Sequence, residues 1–255
     1  MGPNFFQRKH LLAIPVFNEQ QHLTGVLADA RRFIHHILVV DDGSTDATPG
    51  LLKKEPGIAV VRHRQNCGYG ASLVSAFRYA VKEGFEWLIT MDCDEQHEPS
   101  LIPAFVAGAA KDDCDILSGS RYLVPSADDD APPADRRAIN ARITRILNER
   151  LGLGITDAFC GFKAYRTSAM KELDITIPGY AMPLQLWVQA WRAGLRIREI
   201  PVRLIYHDPT RHFGGHLDDP TLRYKHYLEV LEAELSAETK TECVPSPSDC
   251  GATAA

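Results

Sequence analysis

Two short runs of this chain are apolar almost throughout, and each breaks directly into acid. Ile37-Leu38-Val39-Val40 ends in Asp41-Asp42-Gly43-Ser44, and Trp87-Leu88-Ile89-Thr90-Met91 ends in Asp92-Cys93-Asp94. A strand with no polar side to offer water must be covered on both faces, which is the condition of a parallel sheet. Between such runs lie segments whose apolar residues recur at helical spacing, as at Leu23, Val26, Leu27 and Ala30. A β-α-β-α order of this kind predicts an α/β fold, a mostly parallel sheet with helices on both faces. In open sheets of this class, ligands sit beyond the carboxyl ends of the strands. The strand-end polar residues are Asn18 and Glu19, Asp41 and Asp42, and Asp92 and Asp94. All are predicted to face one crevice.

The remaining elements follow from the same patterning. Strands are predicted at 11–14, stopping at Pro15, and at 58–61, 115–118, 160–166 and 197–206. Helices are predicted at 45–54, 69–82, 99–110, 134–151, 183–193 and 221–235. Residues 124–133 end in two prolines and carry Asp128-Asp129-Asp130, which reads as an exposed loop. Residues 1–9 form an N-terminal extension, 10–235 one domain, and 236–255 a tail too poor in large apolar residues to hold a fold. No internal repeat is visible.

With 255 residues, the chain is long enough for one large α/β domain. Its apolar fraction of 45% and charged fraction of 24% are those of a soluble globular protein. A net charge of -5 provides no global field to attract nucleic acid. None of the six cysteines forms a CxxC pair or a zinc-finger spacing, so free thiols in a reducing compartment are expected. The first ten residues lack a signal-peptide core, and no stretch approaches the ~20 apolar residues of a spanning helix. A cytoplasmic protein, at most peripheral to the inner membrane face, is the expectation.

The acidic clusters carry the chemistry. Carboxylates at i and i+2 just past a buried strand both reach a ligand if the chain bends there. They suit a hard divalent cation, which takes carboxylate, phosphate and water oxygens. Such an ion neutralises a diphosphate as it leaves. Gln96, at the next alternate position, adds an amide oxygen. Capping by Ser44 or Thr45 accounts for those residues and for Asp46. It leaves Asp41 and Asp42 unexplained, and a carboxylate there can accept from a ribose or a base N–H. Asn18 is placed to cap the following helix, Phe17 to stack on a base, and Glu19 to accept from it. Arg121, in Gly119-Ser120-Arg121-Tyr122, is a fixed cation suited to phosphate, as are Arg136 and Arg137.

Taken together these residues resemble family 2 glycosyltransferases of the GT-A fold, in the branch of dolichol-phosphate mannose synthase and bacterial polyprenyl-phosphate sugar transferases. The branch pattern P-x-[YF]-N-E is matched by Pro15, Phe17, Asn18 and Glu19, and V-D-D-G-S-x-D by Val40 to Asp46. A basic, glycine-bearing stretch is matched loosely by Arg64 to Gly70. M-D-x-D-x-Q-H-x-P is matched by Met91, Asp92, Asp94, Gln96, His97 and Pro99, and G-S-R-Y by Gly119 to Tyr122. D-x-x-x-G-F-[RK]-A-Y-R is matched by Asp157, Gly161, Phe162, Lys163, Ala164, Tyr165 and Arg166. The motifs occur in the right order over about residues 10 to 205.

The resemblance implies an inverting, metal-dependent hexosyltransferase that takes a GDP- or UDP-sugar. Pro15, Phe17, Glu19, Val40 and Asp42 would hold the nucleoside. Asp92, Asp94 and Gln96 would hold Mg²⁺ or Mn²⁺ and the diphosphate. Arg121 would meet phosphate. Asp157 would serve as general base if the acceptor is a hydroxyl. A polyprenyl or dolichyl phosphate acceptor, at the membrane surface, would need no base. The mannose synthases carry an Arg and a Lys after the last strand, where this chain has Arg211 as its one strong cation between His207 and Gly215. Two other classes use similar sheets. A sugar nucleotidyltransferase usually opens with a glycine-rich loop, where this chain has Pro15-Val16-Phe17-Asn18-Glu19. An inactive nucleotide-sugar-binding protein need not retain Asp92, Asp94 and Arg121.

Overall fold

The computed structural model describes residues 9–206, 215–237 and 253–254. The expectations for residues 1–8, for Arg211 and for most of 236–255 lie outside the described residues.

In chain order the elements are β1 (His10–Val16), α1 (Leu23–Ala30), β2 (Ile37–Asp41), α2 (Thr48–Leu52), β3 (Ala59–Arg62), α3 (Tyr69–Lys82) and β4 (Trp87–Thr90). Then come α4 (Ile102–Ala109), β5 (Ile116–Ser120), α5 (Ala134–Leu151), β6 (Lys163–Arg166), α6 (Thr167–Met170), α7 (Met182–Arg192), β7 (Ile197–Pro201), α8 (Pro220–Ser236) and β8 (Thr253–Ala254). They form one sheet in the order β7-β5-β6-β4-β1-β2-β3-β8. β1 pairs in parallel with β2 and β4, β2 with β3, and β5 with β7.

Successive side chains of a strand point to opposite faces, and here each face is covered. Leu11 and Ala13 of β1 enter a core with Leu73, Phe77 and Trp187 from α3 and α7. Leu12 and Ile14 enter a second core with Leu27 and Phe105 from α1 and α4. The unbroken apolar runs are explained by these two cores. No helix among the described residues is long and apolar enough to cross a membrane.

Three expectations are corrected. β1 does not stop at Pro15. Met91 N–H donates to Ala13 O, whereas Leu12 N–H donates to His36 O and Val16 O accepts from Asp42. Odd residues of β1 therefore face β4, and β4 ends before it reaches Pro15. The missing N–H of Pro15 thus costs no ladder bond. α2 is shorter than 45–54 because the N–H groups of residues 45–47 are held by side chains of the loop after β1 instead. The sheet is mostly parallel as expected, with β6 antiparallel between β4 and β5. After α5 ends on Gly152 in the left-handed conformation, φ 65°, the chain crosses the carboxyl ends of the sheet and can only enter β6 from that edge. Finally, Cys93, Cys114 and Cys160 are free and buried as expected, but Cys67 is disulfide-bonded.

Candidate active site

A cleft of about 1030 Å³ opens at the carboxyl ends of β1, β2 and β4. Pro15, Phe17, Glu19, Asp42, Asp92, Asp94, Gln96 and Arg121 all line it. Phe17 is 43% exposed there, an aromatic face without cover. Val40 and Asp157 do not line the cleft. Val40 is buried in the core beneath α3, so a role in holding a nucleoside through its side chain does not fit this geometry.

The first two loops interlock. Asn18 sits at φ 58°, a left-handed conformation Asn tolerates better than most residues. Its N–H donates to Ser44 Oγ at 2.9 Å, and its Oδ1 accepts from Thr45 N–H at 2.8 Å. Gln20 Oε1 accepts from Ala47 N–H at 2.9 Å. Asn18 therefore braces the acidic loop rather than capping α1, whose N-terminus has no side-chain cap. The adjacent acids of that loop diverge. Asp41 turns from the cleft, accepts from Ser44 N–H at 2.9 Å and pairs with Arg62 at 3.1 Å. Asp42 faces the cleft, and its Oδ1 accepts from His63 Nδ1 at 2.6 Å and Cys67 N–H at 2.8 Å. Its Oδ2 accepts from Gly68 N–H at 2.8 Å. These donors offset the repulsion of neighbouring carboxylates that the sequence left open.

Asp92 stands at the centre of the cleft with 30% of its side chain exposed. Tyr69 donates its hydroxyl to Asp92 Oδ1 at 3.1 Å. Burial and the Asp92 charge both push the Tyr69 pKa well above its ordinary value, so the hydroxyl stays a donor. Asp92 N–H donates to His97 Nδ1 at 3.1 Å, and Asp94 Oδ1 accepts from Gln96 N–H at 3.1 Å. The two carboxylates and one amide supply oxygen donors alone, the set a hard divalent cation prefers. A space is kept for them: a Cβ on Gly161 would lie 2.4 Å from Asp92 Oδ2. The residues present therefore fit Mg²⁺ or Mn²⁺. A second convergence, Asp42, His63 and Cys67, lies within 4.8 Å. It suits a cation poorly, because His63 Nδ1 is committed to Asp42 and the Cys67 sulfur to a disulfide.

Gly161→Ala is expected to displace the Asp92 carboxylate, since backbone and methyl cannot retreat together. Mn²⁺ titration in the presence of a nucleoside diphosphate should show at least about a tenfold loss of cation affinity, the scale of misplaced ligand support. Unchanged affinity would show that Asp92 is free to shift.

Arg121 enters the cleft as half of an ion pair. Its Nε and Nη2 donate to the two oxygens of Asp157 at 2.7 and 2.9 Å. Asn140 Nδ2 donates to Asp157 Oδ1 at 2.7 Å, and Phe159 N–H does so at 3.1 Å. Arg121 N–H adds a bond to Oδ2 at 3.2 Å. Burial alone would raise the Asp157 pKa, but the guanidinium and the amide outweigh it and hold the carboxyl well below the usual range. A carboxylate saturated by five donors and fully buried is no base for a substrate hydroxyl. The expectation for Asp157 is corrected accordingly: it anchors Arg121.

Other residues of the cleft were missed in whole or part. Arg136 lies 5.6 Å over the Tyr206 ring and donates to its hydroxyl at 2.9 Å. Lys163 is buried, donates to the Cys160 carbonyl and lies 5.3 Å from the Trp187 ring centroid, with its pKa lowered by burial. Asn140 had a readable signal. It is a polar residue beside Ile139 and Ile143 on the buried stripe of α5, and a buried amide demands a partner.

Comparison with known proteins agrees with this geometry. The chain matches the family described as Glycosyl transferase family 2 over residues 12–174. A polyprenol monophosphomannose synthase of Mycolicibacterium smegmatis is 31% identical over 209 residues, 76% of this chain and 77% of that protein. An undecaprenyl-phosphate mannosyltransferase of Micrococcus luteus is 29% identical over 204 residues, 76% of this chain and 83% of that protein. A glucosyl-3-phosphoglycerate synthase of Mycobacterium tuberculosis, solved with Mn²⁺, UDP and glucosyl-3-phosphoglycerate, superposes with a TM-score of 0.69 at 18% identity, over 92% of this chain and 83% of that one. That likeness is one of fold.

Proposed function

Because the chain belongs to glycosyl transferase family 2, we propose that it moves a sugar from a nucleoside-diphosphate donor to the phosphate of a polyprenyl lipid, with inversion at the sugar carbon. The observation that carries this reading is the convergence of Asp42, Asp92, Asp94 and Arg121 on one cleft. Phe17 and Asp42 offer a stacking face and an acceptor for the nucleoside. Asp92, Asp94 and Gln96 would hold a divalent cation, which supplies charge neutralisation for the departing diphosphate.

The saturation of Asp157 bears on the acceptor. A hydroxyl nucleophile must lose a proton, and the acid aligned with that task is not available to take it. A phosphate monoester is already anionic. Its oxygen forms the new bond to the anomeric carbon while the bond to the donor phosphate breaks, and the diphosphate leaves with the electron pair. No proton has to move. Arg121, aimed by Asp157, offers a fixed charge for phosphate, and Arg136 lines the same cleft. The polyprenol monophosphomannose synthase and the undecaprenyl-phosphate mannosyltransferase named above both carry a polyprenyl lipid in their names, in line with this acceptor. The site of action would then be a membrane surface.

The test is thermal unfolding with UDP or GDP, with and without Mn²⁺, followed by transfer of labelled sugar into a polyprenyl phosphate. A nucleotide at 100 times its Kd stabilises by about 2.7 kcal/mol. A shift that requires Mn²⁺, and label that moves into the lipid phase, are the expected results. Absence of any metal-dependent shift with either nucleotide overturns the donor side. Release of diphosphate only with a soluble hydroxyl acceptor overturns the acceptor side.

A further inference from the structure

The tripeptide Cys67-Gly68-Tyr69, at the start of α3, touches both acidic clusters. Its first two N–H groups donate to opposite oxygens of Asp42, each at 2.8 Å. The Tyr69 hydroxyl then reaches Asp92 Oδ1 at 3.1 Å. One short segment therefore sets the acid on the nucleoside side and the acid on the cation side.

The segment is itself pinned. Gly68 holds φ 99°, and a Cβ on it would lie 2.4 Å from the Pro178 carbonyl oxygen. A Cβ on Gly70 would lie 2.2 Å from that of Ile177. Ala71 N–H donates to Pro178 O at 3.1 Å. The Tyr180 ring stacks on the Tyr69 ring, with centroids 5.7 Å apart and planes 16° from parallel. Tyr69 has its backbone wedged against one loop, its ring against a second tyrosine and its hydroxyl on a carboxylate.

A carboxylate otherwise turns easily about its terminal torsion, which has a broad energy profile. A donor fixed on Oδ1, with His97 Nδ1 3.8 Å from Oδ2, restricts the carboxylate to one orientation. Resting on the reading that Asp92 ligates a cation, we propose that Tyr69 is a positioning residue that presents the Asp92 carboxylate to the metal. Its role is separate from that of the neighbouring N–H groups, which hold Asp42 on the nucleoside side.

Tyr69→Phe removes the hydroxyl and keeps the stack, so the fold is retained; denaturant unfolding without ligand verifies this. Mn²⁺ is titrated against the unaltered protein and the variant with saturating UDP or GDP, whichever binds, reading free Mn²⁺ by its paramagnetic resonance. The variant is expected to bind Mn²⁺ about tenfold more weakly, within the range for outer partners of metal ligands. Nucleotide affinity in EDTA should stay unchanged. Equal Mn²⁺ affinity in both proteins overturns the proposal and leaves the functional reading intact. An equal loss of nucleotide affinity in EDTA also overturns it, since the hydroxyl would then be serving the site as a whole. If the unaltered protein takes up no Mn²⁺, the functional reading falls and takes this proposal with it.

Discussion

Asp157→Ala is expected to lower the free energy of unfolding by about 3 kcal/mol, the lower end of the cost of breaking a buried ion pair. The Arg121 guanidinium, with 18% of its side chain exposed, would keep its charge and lose both oxygens it now holds. Asn140 and Phe159 would lose an acceptor as well. For a chain of this size the melting temperature should fall on the order of 10 °C. In urea the midpoint should move with the slope unchanged. The pH dependence has a definite sign. The carboxyl is held below its ordinary range in the folded protein. Its contribution is therefore complete above the unfolded value of ~3.9 and is lost as pH falls from there toward the depressed folded value. The stability gap between the native protein and Asp157→Asn should stay constant from about pH 8 to 5 and narrow only below about 4. A gap that closes between pH 7 and 5 would mean that Asp157 titrates as a base does, and the hydroxyl-acceptor mechanism would return.

Asp94→Ala is expected to act on turnover and not on stability. Asp94 is partly exposed at the cleft and lies outside the buried core. The loss falls where charge builds on the diphosphate. Removing one electrostatic contributor of that kind typically lowers kcat about 10²–10³-fold. Steady-state transfer to polyprenyl phosphate, with Mn²⁺ varied, measures it. The metal-dependent stabilisation by nucleotide should vanish in the same variant. Retention of both turnover and the metal-dependent shift would remove Asp94 from the cation site.

Much of the fold could be read before any coordinates. The helices at 69–82 and 134–151 are observed at those bounds as α3 and α5, because both have long apolar stripes and clear breaks at their ends. The strands were legible where they are buried on both faces. Failures came where local pattern met long-range constraint. Residues 45–47 have helix-forming neighbours but are tied to Asn18 and Gln20, more than 20 positions away. Strand direction at β6 depends on where the preceding loop crosses the sheet, which no local pattern records.

The sequence by itself determined that two acidic clusters end two buried strands, since unbroken apolar runs admit few other placements. It determined the family and the order of its motifs. Tertiary structure alone decided which oxygens are available. Asp41 and Asp42 are neighbours of one type, yet pleat alternation sends one to Arg62 and the other to the cleft. Asp157 and Asp92 are equally acidic on paper. One is fully buried and saturated by Arg121 and Asn140, whereas the other lines the cleft, partly exposed, beside Tyr69, His97 and Gly161. Whether a carboxylate can bind, ligate or anchor depends on how many donors already converge on it, and those donors arrive from segments far apart in the chain.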